Sequence, residues 1–219
     1  MEDIFKEYLA KNGGSSFSQN NQDQLVLSLL GESPGFFVEF GADDGIALSN
    51  TYTLEKKFNW NGILCEASKV SQEKLVNNRD CYIDFNCVTD KSGEVVTFIE
   101  TGMGLSSMEK YAYDDMWADK RKEGYSYEVP TISLSDLLDK YNAPDVIDYL
   151  SIDTEGSELD ILSAYDFSRT FKIITVEHNY TENREKIYNL LTSKGYIRIL
   201  EDLSKWDDWY IHKLAVLFD

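Results

Sequence analysis

The chain has 219 residues, 42% apolar and 13% aromatic, which suits one packed α/β domain and sets aside a disordered chain. A formal net charge of −18 with no run of Lys and Arg argues against a nucleic-acid partner, because a phosphate backbone would be repelled. The three cysteines, Cys65, Cys81 and Cys87, are odd in number and lack CxxC spacing, so neither a disulfide framework nor a zinc site is expected.

Residues 1–10 read as a charged amphipathic helix rather than a signal peptide, and Asn12-Gly13-Gly14-Ser15-Ser16 as a flexible joint. Residues 1–21 are therefore taken as an N-terminal arm and 22–219 as the main domain. No apolar run approaches a membrane span, so a cytoplasmic setting without membrane contact is expected. Residues 22–30 form a helix candidate that Gly31 can end, and Pro34-Gly35 a turn. A short apolar strand at 36–40 runs into Gly41-Ala42-Asp43-Asp44-Gly45, followed by a helix over 49–58. A strand at 63–65 ends at Glu66, Ser68 can cap a helix through 76, and 82–85 is a third strand. This alternation predicts a parallel sheet with right-handed crossovers.

The middle is less regular. Residues 95–99 read as a strand, and 101–124 as a lid-like insertion with a helix near 109–120. Alternation then resumes. A helix capped by Ser133 or Ser135 runs through 141, and a strand at 146–152 ends at Asp153-Thr154-Glu155-Gly156. A helix over 157–164 leads to a strand at 172–176 that ends at Glu177-His178-Asn179. A helix over 181–193 precedes an antiparallel pair, 196–200 and 209–217, joined by an acidic loop.

In open parallel sheets, ligands bind beyond the carboxyl ends of the strands. Polar clusters gather at those ends here. Gly41 and Gly45 let the chain turn sharply beside a ligand. No GxGxxG is present, and the paired acids Asp43 and Asp44 would repel a pyrophosphate while suiting a ligand with positive charge, such as a sulfonium. Glu66 stands about 20 residues past the glycine turn, where related sheets place the acid that accepts ribose hydroxyls.

Three segments carry a resemblance. Phe37-Val38-Glu39-Phe40-Gly41-Ala42-Asp43-Asp44-Gly45, Gly62-Ile63-Leu64-Cys65-Glu66-Ala67 and Leu150-Ser151-Ile152-Asp153-Thr154-Glu155-Gly156-Ser157-Glu158 resemble the FkbM-type methyltransferases that use S-adenosylmethionine. Ser49-Asn50-Thr51, Leu105-Ser106-Ser107 and Val129-Pro130-Thr131-Ile132-Ser133 extend the likeness, which runs over roughly 22–213. Family members often carry Pro where Ala67 stands. The resemblance implies a Rossmann-like seven-stranded sheet, mostly parallel with an antiparallel last strand and helices on both faces. It implies that Glu39, Gly41, Ala42, Asp43, Gly45 and Asn50 hold the amino-acid end of the cofactor. Glu66 with Ala67 and Ser68 takes the ribose, Asn86 and Cys87 border the adenine, and Asp153 lies beside the methyl donor. Ser106 and Ser107 are placed near the acceptor, a hydroxyl on a small molecule or carbohydrate.

Methyl transfer needs an aligned acceptor and a group to take its proton. His178, at a strand end, is the natural base, with Asp153 as its catalytic neighbour; the alternative is a histidine that orients a loop. Asp153, Glu177 and Asn179 are oxygen ligands of the kind a divalent metal takes, a minor alternative to plain loop hydrogen bonding. A nicotinamide oxidoreductase and a noncatalytic cofactor-binding module are the rival functions. Nothing in the sequence sets an oligomeric state.

Overall fold

The computed structural model describes residues 1–12, 16–101, 104–113 and 117–215. Helices α1 (Glu2–Asn12) and α2 (Gln22–Leu30) lead into β1 (Phe36–Phe40), α3 (Tyr52–Phe58), β2 (Asn61–Cys65), α4 (Lys69–Asn78) and β3 (Tyr82–Asp84). Next come β4 (Cys87–Thr89), β5 (Val95–Glu100), β6 (Ser107–Met108), α5 (Ala118–Arg121), β7 (Tyr125–Ser133) and α6 (Leu134–Lys140). The chain continues through β8 (Val146–Ile152), α7 (Glu158–Ala164), β9 (Thr170–Glu177), α8 (Asn183–Ser193), β10 (Tyr196–Ile199), α9 (Glu201–Ser204) and β11 (Asp207–His212).

Seven strands form the main sheet in the order β10-β11-β9-β8-β1-β2-β3, and β11 alone runs against its neighbours. The mixed, mostly parallel sheet matches the expected fold. The strands are apolar on alternate sides because successive side chains point to opposite faces. Val38, Phe40, Ile63, Leu150, Ile152, Ile174 and Val176 meet Leu137 and Leu138 of α6, Ile161 and Leu162 of α7, and Ile187 and Leu191 of α8. Phe37, Leu64, Tyr149, Ile173 and Trp209 face the other way, onto Phe5, Leu25, Leu54 and Leu75 of α1–α4. Burial on both faces is why β1, β2 and β8 read as largely apolar runs, interrupted at Glu39, Asp148 and Ser151. The N-terminal helix packs on this core: the Phe5 ring meets the Trp209 ring edge-on at 5.7 Å.

The middle of the chain differs from expectation. Instead of a helix over 109–120, residues 109–113 are turns and only Ala118–Arg121 is helical; Met116 and its two predecessors lie outside the described residues. A second sheet, β4-β7-β5-β6, occupies this region and closes a small core of Cys87, Phe98, Met108 and Val129. The nine-residue strand β7 was hidden by Pro130, which lacks the N–H that a central strand uses. The proline is tolerated because it sits at a changeover: β5 pairs with β7 as far as Pro130, and β4 takes over from Thr131. The segments Gly13-Gly14-Ser15 of the expected joint, Gly102 and Met103 of the insertion, and Val216 onward of the expected last strand lie outside the described residues.

Candidate active-site cleft

The register of the main sheet builds the cleft. Phe40, Ile152 and Val176 are paired across β1, β8 and β9, so the next residues, Gly41, Asp153 and Glu177, emerge side by side at the carboxyl edge. Glu177 is in turn paired with Asp207 of β11. Gly41 has φ +75°, and a Cβ there would stand 1.9 Å from the Asp153 carbonyl oxygen. Only glycine fits this turn, both by backbone conformation and by space.

Two adjoining cavities open along this edge. The first encloses about 700 Å³, partly open to solvent, and is lined among others by Gly41, Asp43, Glu66, Ala67, Ser68, Asn86, Cys87, Ser106 and Asp153. The second, about 1320 Å³, shares Gly41, Asp43, Asp153 and Glu155 and adds Glu39, Asn50, Glu177, Asn179, Trp117, Tyr180 and Trp206. Neither is lined by a Lys or Arg among the described residues.

Glu66 is fixed at the floor of the first cavity. Its Oε2 accepts the Asp43 amide at 2.7 Å and its Oε1 the Ser68 amide at 2.6 Å. Burial pushes the carboxyl up to about 7, against the pull of those two amides. Asp43 points into the cavity and takes the Ser71 hydroxyl. Asp44 turns back on its own loop, where Oδ1 accepts the amides of Ile46 and Ala47 at 2.9 and 2.8 Å. The two adjacent acids thus have separate tasks, one toward the cleft and one within the turn. Asn86 is braced by Asp84, to which its Nδ2 donates at 2.8 Å. The Cys87 thiol is pushed by burial up to about 12, so it is a neutral, apolar wall. Ala42 and Gly45 line neither cavity; the Ala42 amide donates to Cys65 O at 3.3 Å, and a Cβ on Gly45 would strike Arg79 and Leu75 at 2.7 Å.

Glu39 is a tie as well as a wall. It accepts the Asn50 amide at 2.7 Å, the Ser49 hydroxyl at 3.1 Å and the Thr51 hydroxyl. The buried Arg79 stands 3.9 Å away and bonds Glu55 at 2.7 Å and Gly45 O at 3.0 Å. Burial raises the Glu39 carboxyl while Arg79 and these hydrogen bonds oppose the rise. The network holds residues 45–51 against the sheet edge.

On the far side, the half-buried Asp153 stands beside the buried Glu177. Burial, reinforced by Asp207, pushes Asp153 up to about 7; burial and the Asp153 charge push Glu177 well above the carboxylate range. Glu155 joins them, and its Oε2 takes Arg121 Nη2 at 2.7 Å. Arg121 is fully buried and also donates to Leu105 O at 2.6 Å and Ala112 O at 3.3 Å. It pins the insertion to the end of β8. Neither its burial nor its partner was visible in the sequence, because the pair joins segments 34 residues apart.

His178 faces a third cavity beyond Glu155 and Gly156. Its Nδ1 accepts the Tyr180 amide at 3.0 Å, which places the ring proton on Nε2, and Nε2 lies 3.7 Å from Asp208. Burial lowers its pKa against the opposing pull of Asp208. In this arrangement the ring orients the 178–180 turn and has no lone pair turned to the acceptor side. Of the two serines expected near the acceptor, Ser106 lines the first cavity, while Ser107 is fully buried and donates to Glu155 O at 2.7 Å.

The match to known proteins follows this geometry. The model of the methyltransferase FkbM domain covers residues 39–209. The chain belongs to the FkbM methyltransferase family. Among solved structures, an FkbM methyltransferase from Methylobacillus flagellatus KT superposes with a TM-score of 0.52 at 11% identity, over 96% of this chain. The chain spans 58% of that protein's length. An O-methyltransferase from Bacillus cereus in complex with SAH gives a TM-score of 0.45 at 13% identity, over 96% of this chain and 87% of that one. No curated protein matches the sequence. No helix among the described residues is long and apolar enough to cross a membrane.

Proposed function

We propose that this FkbM-family chain transfers a methyl group from S-adenosylmethionine to a hydroxyl on a small molecule or carbohydrate. The observation that carries the reading is the joint presence, in one cavity, of the Gly41 turn and the Glu66 carboxylate held by two backbone amides. Glu66 is an acceptor-only group at neutral pH once a donor faces it, which suits two ribose hydroxyls. Ala67, Asn86 and Cys87 provide a small, largely apolar wall for the adenine. Gly41, Asp43, Glu39 and Asn50 lie where the methionine portion would run, and their acidity suits a ligand carrying an ammonium and a sulfonium. A dinucleotide fits poorly, since its pyrophosphate would meet Asp43 and Glu66 with no basic side chain among the lining residues.

The acceptor then occupies the second cavity, against Asp153 and Glu177 with Trp117, Tyr180 and Trp206 as walls. Transfer breaks the sulfonium–methyl bond, forms the oxygen–methyl bond and leaves a neutral thioether, while the hydroxyl proton passes to the Asp153 carboxylate and from there to solvent. What the chain supplies is alignment in a cleft walled on one side by Gly104, Leu105, Ser106 and Trp117 of the insertion, with Gly104 lining both cavities. In this reading Asp153, which lines both cavities, touches the reacting hydroxyl. His178 serves to hold the 178–180 turn.

The test is incubation of the protein with S-adenosylmethionine and a panel of neutral sugars and small alcohols, read by mass spectrometry. A gain of one methyl on an acceptor oxygen, together with S-adenosylhomocysteine release, is the expected result. Methylation confined to nitrogen or carbon acceptors would overturn the hydroxyl assignment while leaving the donor intact.

A further inference from the structure

Residues 16–22 precede the span matched to the family domain, yet Gln19 among them lines the second cavity. The segment is tied to two separate elements of that cavity's wall. Ser18 forms a parallel bridge with Leu48 and donates its hydroxyl to Ser49 O at 3.3 Å, while the Phe17 ring lies 4.6 Å from the Tyr52 ring. One residue on, Gln19 meets Trp206, and Gln22 Nε2 donates to Asp207 Oδ2 at 2.5 Å. Leu48 follows β1 and Trp206 precedes β11, strands that stand three places apart in the sheet, or about 14 Å. Leu48 and Trp206 both line the cavity, and the N-terminal segment spans from one to the other.

Trp206 is the part of this wall whose side chain the sheet does not place. Its backbone is fixed, because its carbonyl accepts the His178 and Asn179 amides at 2.9 and 3.2 Å. Its indole is half-buried, and Nε1 can only donate. Gln19 therefore turns its oxygen, Oε1, to that N–H at 2.9 Å. Among the described residues no other hydrogen bond holds the ring. The ammonium of the exposed Lys205 lies 5.2 Å from the ring centroid, a weak and solvated contact.

We propose that Gln19 is a positioning residue for the methyl acceptor: it fixes the Trp206 indole, which sets how the acceptor lies in the cavity. The inference rests on the acceptor placement proposed above. With its N–H engaged by Gln19, the indole offers the acceptor only an apolar ring face, which suits C–H surface beside the methylated hydroxyl. A wall that meets the acceptor alike before and during transfer contributes uniform binding. Loosening it raises the KM for the acceptor and leaves kcat and S-adenosylhomocysteine affinity as they were.

The test compares Gln19→Leu, which removes the oxygen, with Gln19→Glu, which keeps one for the indole N–H. Gln19 is exposed, so both variants are expected to fold. Solvent exchange of the Trp206 indole N–H is read by NMR in saturating S-adenosylhomocysteine, its signal assigned by its loss in Trp206→Phe. Exchange should quicken about two- to tenfold in Gln19→Leu, the scale of one neutral hydrogen bond, and return to the original rate in Gln19→Glu. For each hydroxyl compound methylated in the panel above, Gln19→Leu should raise KM about two- to tenfold at unaltered kcat, and Gln19→Glu should restore it. In the Trp206→Phe chain the same leucine should add nothing, because the N–H through which Gln19 acts is gone. Unaltered exchange in Gln19→Leu, a fall in kcat or in S-adenosylhomocysteine affinity with KM unmoved, or an undiminished leucine effect in the Trp206→Phe chain would each overturn the proposal. The exchange is read with S-adenosylhomocysteine alone. Absence of any methylated hydroxyl would therefore count against the function proposed above, while the exchange result still decides the role of Gln19.

Discussion

The two halves of the cleft are built by different means. The half proposed to hold the donor is made of consecutive strand ends: Gly41 after β1, Glu66 after β2 and Asn86 after β3, each braced by hydrogen bonds to nearby backbone or side chains. The acceptor half is assembled across long distances in the sequence. Arg121 of the insertion reaches Glu155, Ser107 reaches the Glu155 carbonyl, and Trp206 is held through Nε1 by Gln19 at 2.9 Å. A site built from strand ends inherits its geometry from the sheet. A site built from an insertion depends on a few buried polar ties, and those ties are where it should fail.

The largest effect should come at the seam between the halves. Gly41→Ala combines a φ of +75° with a Cβ 1.9 Å from the Asp153 carbonyl. Its cost should exceed about 3 kcal/mol, with S-adenosylhomocysteine binding abolished. Gly104→Ala, also at positive φ but with nothing within 4 Å of the added Cβ, should cost only about 1–2 kcal/mol and keep the binding. Thermal melts with and without ligand compare the two; equal losses would refute the seam.

Next in size is Arg121→Met. It leaves a buried carboxylate without its cation, for which losses of about 3–5 kcal/mol are usual. A fall in melting temperature on the order of 10 °C is expected for a chain of this size. If the halves are as separable as their construction suggests, the folded variant retains cofactor affinity and loses turnover. A parallel collapse of both would show that the insertion supports the donor half too.

Glu66→Ala tests the donor half alone. Loss of a charged acceptor for two hydroxyls costs about 1.5–3 kcal/mol, so affinity for S-adenosylhomocysteine should weaken roughly ten- to hundredfold. The same residue sets a pH signature. Its pKa is raised from 4.5 to about 7 in the folded chain, which therefore binds a proton more readily than the unfolded one over that interval. By linkage, this residue's contribution to the stability of the ligand-free protein falls as pH rises from about 4.5 to about 7. Glu66→Gln should flatten that slope in denaturant titrations at several pH values; an unchanged slope would remove Glu66 from the account.

The smallest effects belong to the serines. Ser107→Ala leaves a buried carbonyl short of a donor and should lower stability by about 1 kcal/mol. Ser106→Ala, whose hydroxyl accepts the Thr101 amide at 3.0 Å at the cavity wall, should act on turnover more than on stability. If Ser106→Ala turns over at the unaltered rate, the insertion is a wall and not a participant.

The same division explains what the sequence could tell. β1, β2, β8 and β9 were legible because burial on both faces leaves short apolar runs that end abruptly at Gly41, Glu66, Asp153 and Glu177. The second sheet was not, because β7 carries Pro130 and is explained only by the partner strands on either side of it. The acid Glu155 belongs to the strand-end run Asp153-Thr154-Glu155-Gly156, yet its partner Arg121 lies in a stretch whose composition reads as irregular. Asp44 looked like a twin of Asp43, and only the turn geometry separates them. For His178 the strand-end position was plain, while the hydrogen bond that occupies Nδ1 depends on the left-handed backbone at Asn179 and Tyr180.

The claim on which the rest depends is that the donor half holds S-adenosylmethionine through Glu66. Calorimetry of S-adenosylhomocysteine and of NAD⁺ against the unaltered chain and Glu66→Ala tests it most directly. The account predicts one S-adenosylhomocysteine per unaltered chain, weakened roughly ten- to hundredfold in the variant, and no NAD⁺ binding to either. Binding of NAD⁺ without S-adenosylhomocysteine, or an unchanged affinity in a folded Glu66→Ala chain, would contradict it.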